Sequence, residues 1–557
     1  MVPTPALGIM PKCLRDGSES AKFYHSVLYF TDDQRSVRPA SIMMTPRISV
    51  RKMHGNPASW IIQFKRLKFP FHCAWLYKYG EKKAAIHTSM TVIAAILAPI
   101  PYGSVTPFWV AFWVLLMAAT LLIAPVESLN ARQCYMIGCI VFLWIIYLGL
   151  ALVQVLPSPP LLANEVWVEV AEKLGRTLPG RISVRASLPI EAFGRALLAV
   201  LAFCNGFVVG ARFERLKRLI DAIAIAGLLI ALYGIIIEFI APSRLLFNTK
   251  TAYLGDVTGP FVNRNTAATY FGTITTLWFF AVLERLSHIR FYSLKLLLLI
   301  HQREDVVRSL VLRMLALAIC ITALLETHSR GGALAFGFGI FSSTIIALVK
   351  YRQIRLLMLC IGAGIIIMVT GVGGSIGIRV ESDGLFDRER WMTYYSSWQL
   401  VTKHPWLGTG LGTFRDVFPM VRDTAAFARG VWDMAHNTIV EIAVEMGLPA
   451  AITIVAGAVW ILYCLYKAAL AQEGQPGATS LILASIAVLS FVHSLTDFSL
   501  QIPGFLLPAA VLIGSGLGLS GNTVEKKQST LTGESLELNA TARLRENSDA
   551  IRPGIPI

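Results

Sequence analysis

Few side chains in this sequence can do chemistry, and they gather in short polar runs between long apolar stretches. Thr327-His328-Ser329-Arg330-Gly331-Gly332 interrupts two apolar runs. Arg388-Glu389-Arg390-Trp391 opens a stretch with Trp391, Tyr394, Tyr395 and Trp398 at helical spacing, and His404-Pro405-Trp406-Leu407-Gly408-Thr409-Gly410-Leu411-Gly412 follows. Ala435-His436-Asn437 precedes Glu441, Glu445 and Gly447, and His493-Ser494-Leu495-Thr496-Asp497-Phe498 closes the series.

The arginines suit a phosphate. Guanidinium is a planar fork of donors matched to phosphate oxygens. Arg330 falls where two apolar runs meet, where an unpaired cation costs on the order of 2–3 kcal/mol. The glycines after it let a ligand approach the start of the next helix, an end that favours anions. The plain alternative is a cation anchoring the membrane boundary. Arg388 and, more weakly, Arg264 in Asn263-Arg264-Asn265 invite the same reading.

His436 stands just before an apolar span, with Asn437 beside it. An imidazole titrates near neutral pH, so it can take a proton from a sugar hydroxyl. Taken alone it is equally a helix-start histidine satisfied by backbone or water. His404, before a proline and a glycine run, reads as part of a turn. Asp497 ends a span and could polarise a base or simply face water.

Several chemistries find no support. Gly408, Gly410 and Gly412 follow no predicted strand, and no GxxxxGK[ST] occurs, so they read as a flexible turn and not as a nucleotide loop. There is no DxD, Glu381-Ser382-Asp383 being the nearest approach, and no HExxH. The histidines are too dispersed for a zinc site. No metal or cofactor is therefore expected. The eight cysteines form no CxxC and lie mostly in apolar runs, as small hydrophobes do.

The elements that position these residues are membrane helices. Of 557 residues, 55% are hydrophobic and only 15% charged, with mean hydropathy +0.60; a soluble domain carries about a quarter charged residues. Apolar runs near 85–103, 107–125, 134–156, 191–211, 219–240, 265–283, 309–327, 331–349, 355–373, 437–466, 479–496 and 503–520 each approach the length that crosses a bilayer. A backbone in lipid must satisfy its own hydrogen bonds. The expected fold is all-α, a polytopic integral membrane protein of about twelve transmembrane helices.

The net charge of +16 lies in the first 83 residues and in loops, which fits topology signals and anionic headgroups better than nucleic acid. Arg212, Arg215, Lys217 and Arg218, then Arg285 to Arg308, then Lys350, Arg352 and Arg355 share one side with the basic N-terminal segment. The positive-inside rule makes that side cytoplasmic, with both termini on it. Residues 1–83 read as a basic tail, disordered or interfacial, 84–520 as the membrane domain with a large periplasmic loop at 374–436, and 521–557 as a disordered tail.

Together these motifs resemble the O-antigen ligase family, whose superfamily also holds O-antigen polymerases and bacterial protein O-oligosaccharyltransferases. The resemblance covers roughly 255–515. It rests on Ser329-Arg330-Gly331, Arg388 with Trp391, His404-Pro405 with Gly408, Gly410 and Phe414, His436-Asn437 with Glu445 and Gly447, and the run from His493 to Pro503. It implies an inner-membrane enzyme that moves a glycan from undecaprenyl diphosphate to an acceptor hydroxyl without a metal. By position, Arg330 and Arg388 would bind the diphosphate, with Arg264 a further candidate. His436 would activate the acceptor and Glu445 orient that site, supported by Ser329, Asn437, His404 and Asp497. Lipid A–core, another lipid-linked glycan or a protein hydroxyl remain open as acceptors; the family's motif order favours a ligase, with a polymerase as the alternative. A lipid-linked sugar transporter is the competing class, but it should hold ionisable residues near the bilayer midplane. Here they cluster at one face.

Overall fold

The computed structural model describes residues 70–185, 190–287, 304–351, 388–422 and 432–522. Among them nine helices are long and apolar enough to cross a membrane, which makes the protein an all-α polytopic membrane protein. They are α3 (Ala131–Val155), α5 (Ile190–Gly210), α6 (Phe213–Ile240), α7 (Arg264–Ser287), α8 (Glu304–Leu325), α9 (Arg330–Tyr351), α13 (Leu448–Ala471), α14 (Gly474–Ser494) and α15 (Pro503–Ser520). Before these come α1 (Pro70–Leu97) and α2 (Pro107–Leu122), which hold the first two apolar runs. The expected span at 355–373 lies outside the described residues. Short helices α4 (Val166–Leu174), α10 (Arg388–Lys403), α11 (Phe414–Val417) and α12 (Thr438–Met446) sit in the connections, with one two-residue hairpin, β1 (Arg244–Leu245) and β2 (Asn248–Thr249).

Two boundaries differ from the sequence reading. Helix α1 already runs from Pro70, inside the segment assigned to the basic tail. The run 437–466 is broken: α12 ends at Gly447, where φ is 83°, and α13 restarts with Pro449 in its first turn. Apolarity alone could not show this, because Gly447 and Pro449 break the helical hydrogen bonding without lowering hydropathy.

α7, α14 and α15 are the most enclosed spans, and α3 and α8 the most peripheral. α15 packs closely on α5. A Cβ at Gly206 or Gly210 of α5 would overlap the Val511 or Ser515 carbonyl, and one at Gly514 or Gly518 of α15 would overlap those of Phe203 or Phe207. These are reciprocal i, i+4 glycine pairs, the small-residue packing by which helix backbones approach in lipid.

At one end of the bundle, Gln133 donates to the Gly518 carbonyl (2.8 Å) and Gln472 to the Leu519 carbonyl (3.2 Å). At the other end the connections 241–263, 326–329, 388–422, 432–447 and 495–502 are hydrogen-bonded to one another. The candidate residues are assembled there.

Candidate active site

Asp497 is the centre of the assembly. It lies in the turn between α14 and α15 and is fully buried. Its Oδ1 accepts from the Phe498 amide (2.7 Å) and lies 3.7 Å from His436 Nδ1. Its Oδ2 accepts from Asn265 Nδ2 and stands 3.4 Å from Arg390 Nη2. Arg390 also donates through Nη1 to the Thr496 carbonyl. Burial alone would raise this carboxyl, but the His436 imidazole and the Arg390 charge outweigh it and hold it at about 2. It is therefore an anion throughout the physiological range.

His436 sits in the left-handed region, with φ 53°, a strained backbone for a side-chain-bearing residue. Its ring stands edge-on to Trp432 (5.2 Å between centroids) and Phe498 (4.9 Å). Tyr394 donates its hydroxyl to the His436 carbonyl (2.9 Å). Asn437 is the N-cap of α12, accepting from the Ile439 (3.0 Å) and Val440 (3.1 Å) amides, so it fixes the helix that follows the histidine. The 3.7 Å gap from Nδ1 to Asp497 is an ion-pair distance, longer than a hydrogen bond.

Ser329 donates to Asn265 Oδ1 (2.8 Å) and accepts from the Gly332 amide (3.2 Å). A continuous polar chain thus runs from Ser329 through Asn265 to Asp497, and on to Arg390 and His436. Arg330 is the first residue of α9. A Cβ on Gly331 would lie 3.3 Å from Thr496 Oγ1 and 3.9 Å from His493 Nε2, which brings the start of α9 against the Asp497 turn. Arg388 opens α10, and its side chain lies outside the described residues. The α10 arginine that meets Asp497 is Arg390.

Arg264 has a different setting. Its Nη1 pairs with Asp256 Oδ2 (2.9 Å), and its guanidinium lies 5.3 Å from the Tyr253 ring centroid. Asp256 Oδ1 is 2.6 Å from His328 Nδ1. Buried Lys250 binds Glu238 (2.7 Å) and the Asp256 carbonyl (2.6 Å). Burial opposes ionisation of Asp256, but hydrogen bonds from His328 and Arg264 prevail and its pKa falls.

Glu445 does not face His436. Its carboxylate accepts from the Phe414 amide (3.0 Å), and its carbonyl accepts from Gln154 Nε2 (2.8 Å) and the Gly410 amide (2.9 Å). It holds the glycine turn onto α12. The buried acid one residue-turn closer to the histidine is Glu441, which accepts from the Ala435 amide (2.8 Å). Burial raises both carboxyls, and Glu441 repels Glu445 further, while Arg195 offsets part of the shift.

The glycine turn is tightly bound. At Gly408, φ is 66° and a Cβ would overlap the Glu445 backbone; at Gly410, φ is 113° and it would overlap Ser183. Gln154 donates to the Leu407 carbonyl (2.6 Å) and accepts from the Leu411 amide (3.0 Å), while the Val184 amide donates to the Thr409 carbonyl (2.9 Å). His404 faces Asn164 at 3.4 Å, and burial lowers its pKa. It braces the turn from the 157–190 connection. Among the described residues no three His, Cys, Asp or Glu side chains are grouped to hold a metal ion.

The sequence model of the O-antigen ligase family matches residues 315–455. The chain carries an O-antigen ligase domain. That match supports a surface-polysaccharide assembly enzyme of the ligase and polymerase superfamily. No curated protein matches the chain. The ligase domain contributes Ser329, Arg330, Arg390 and His436 to the assembly, while Asn265 and Asp497 come from outside the matched stretch. Asn265 and Arg390 had no separate signal in the sequence: one was only the first residue of the apolar run 265–283, and the other was one of two arginines a residue apart.

Proposed function

We propose that the protein transfers a glycan from undecaprenyl diphosphate to an acceptor hydroxyl on the extracytoplasmic face of the bacterial inner membrane. The basic clusters that follow α5, α7 and α9 support placing the opposite end of the bundle in the cytoplasm. The observation that carries the reading is the pairing of His436 with the buried Asp497 carboxyl, flanked by Arg390 and the Arg330 helix start.

In this reading the acceptor oxygen attacks the anomeric carbon, and its proton passes to the His436 imidazole. The bond from that carbon to the phosphate oxygen breaks, and undecaprenyl diphosphate leaves with the electron pair. Asp497 stabilises the imidazolium as it forms, as the carboxylate does in other His–Asp pairs. Arg330 and Arg390 offset the charge growing on the diphosphate. A single displacement inverts the anomeric centre, and no step calls for a metal. Whether the acceptor is lipid A–core (a ligase) or a growing lipid-linked chain (a polymerase) is decided by what the strain accumulates.

The test is complementation of a strain lacking the gene with His436→Ala and Arg330→Ala, with membrane levels checked by blot. Normal protein levels with long glycan retained on the lipid carrier are expected for a ligase. Single-repeat intermediates would favour the polymerase. Wild-type surface glycan from both variants would defeat the proposal and favour transport.

A further inference from the structure

The polar chain that reaches Asp497 depends on one rung, the 2.8 Å hydrogen bond from Ser329 Oγ to Asn265 Oδ1. These two residues belong to different helix starts, α9 and α7, and nothing in either sequence run fixes their distance. The residue before each is bound to the same carboxylate. Asp256 holds Arg264 at 2.9 Å with Oδ2 and His328 at 2.6 Å with Oδ1.

We infer that Asp256 is a positioning residue for the transfer site, clamping His328 and Arg264 so that Ser329 and Asn265 meet and the Arg330 helix start faces Asp497. The inference rests on the proposed transfer reaction for its functional consequence, though not for its geometry.

Several features fit a clamp better than a surface ion pair. The Asp256 side chain is 6% exposed, His328 16% and Arg264 22%, so solvent screens them little. The clamp itself is anchored. Buried Lys250 holds the Asp256 carbonyl and ties it to Glu238 at the end of α6, and the Val257 amide donates to the Glu326 carbonyl (2.8 Å). His328 adopts φ 52°, a left-handed conformation that a histidine keeps only when its surroundings impose it. Its Nδ1 bond to Asp256 is such an imposition, two residues before Arg330. Arg264, offered by the sequence as a diphosphate ligand, is in this account half of the clamp, with Tyr253 against its guanidinium.

The test uses Asp256→Asn and His328→Asn in the full chain, assayed in nanodiscs for amide hydrogen exchange and in the deletion strain for transfer per amount of membrane protein. Asn tolerates the left-handed backbone at 328, so that variant removes the latch without adding strain. Exchange should quicken at 263–267 and 328–333 while the α5–α15 interface stays protected. Transfer should fall roughly ten- to a hundredfold, the scale expected for displacing a catalytic group by about 1 Å. Wild-type exchange at both segments would overturn the clamp whatever the enzyme's reaction. Loosened segments with wild-type transfer would overturn the positioning role. His436→Ala run in parallel separates the two ideas: if it too keeps wild-type transfer, the proposed reaction fails, and the exchange result still decides the clamp.

Discussion

Replacing Asp497 with asparagine keeps its shape and removes its charge. The carboxylate is fully buried, and His436 Nδ1 lies 3.7 Å from Oδ1. At that distance an ion pair is worth about 4.5 kcal/mol at an effective dielectric of about 20. The pair exists in full only when the imidazole has taken the acceptor proton, so the loss falls on the transition state and on kcat. Solvent at the imidazole trims the figure, and a drop of about two to three powers of ten in kcat remains, with a smaller change in KM. Asparagine also weakens the Arg390 contact at 497 while the Thr496 carbonyl is retained. Detergent-solubilised protein should therefore be checked for wild-type thermal unfolding before rates are compared. The assay is transfer of lipid-linked glycan by purified protein at saturating donor. Asp497→Asn combined with His436→Ala should be slower than His436→Ala alone by no more than the loosened Arg390 accounts for, about tenfold, because groups that act as a unit are not additive. A single variant within threefold of wild type, or a double variant much slower than His436→Ala, would show that Asp497 does not act through His436.

Other outcomes follow from particular contacts. Arg390→Lys keeps a cation but loses the two-point hold on Thr496 and Asp497, so transfer should fall by about tenfold or more in the same kinetic assay. Gly514→Ala places a methyl on the Phe203 carbonyl; overpacking of this kind destabilises by about 1–3 kcal/mol or more, read as a lowered unfolding midpoint. Gly408→Ala meets both a φ of 66° and the Glu445 backbone, and should reduce transfer before it reduces membrane level. Glu441 and Glu445 have raised folded pKa values. Their stabilising contribution is therefore full below the ordinary glutamate range, about 4.3, and is lost as pH rises through the raised values. Unfolding midpoints should decline over that interval, and Glu445→Gln should flatten the decline.

Much of this protein could be read without coordinates. The membrane class followed from apolar run length, because backbone in lipid has no other way to satisfy its hydrogen bonds. His436, Arg330, Ser329 and Asp497 stood out because polar residues beside apolar runs are costly to keep there. The glycine turn at 408–412 was recognised as a turn, though read as flexible. Its rigidity comes from Gln154, Ser183 and Glu445, partners far away in sequence.

Roles inside the site were decided by tertiary structure. Glu445 and Asp497 were both acids near a histidine in sequence or at a span end, and hydropathy cannot tell which one turns toward His436. The fold turns Glu445 onto the Phe414 amide and brings Asp497 across from another pair of helices. Arg390 likewise reaches Asp497 only because the fold brings the start of α10 to the turn between α14 and α15. Arg264 was a candidate diphosphate ligand by sequence and is an Asp256 partner in space. Sequence thus determined which residue types sit at the membrane boundary, since solvation acts on each residue by itself. Which of them touch was left to tertiary packing, since a contact depends on two chain segments whose separation no local pattern records.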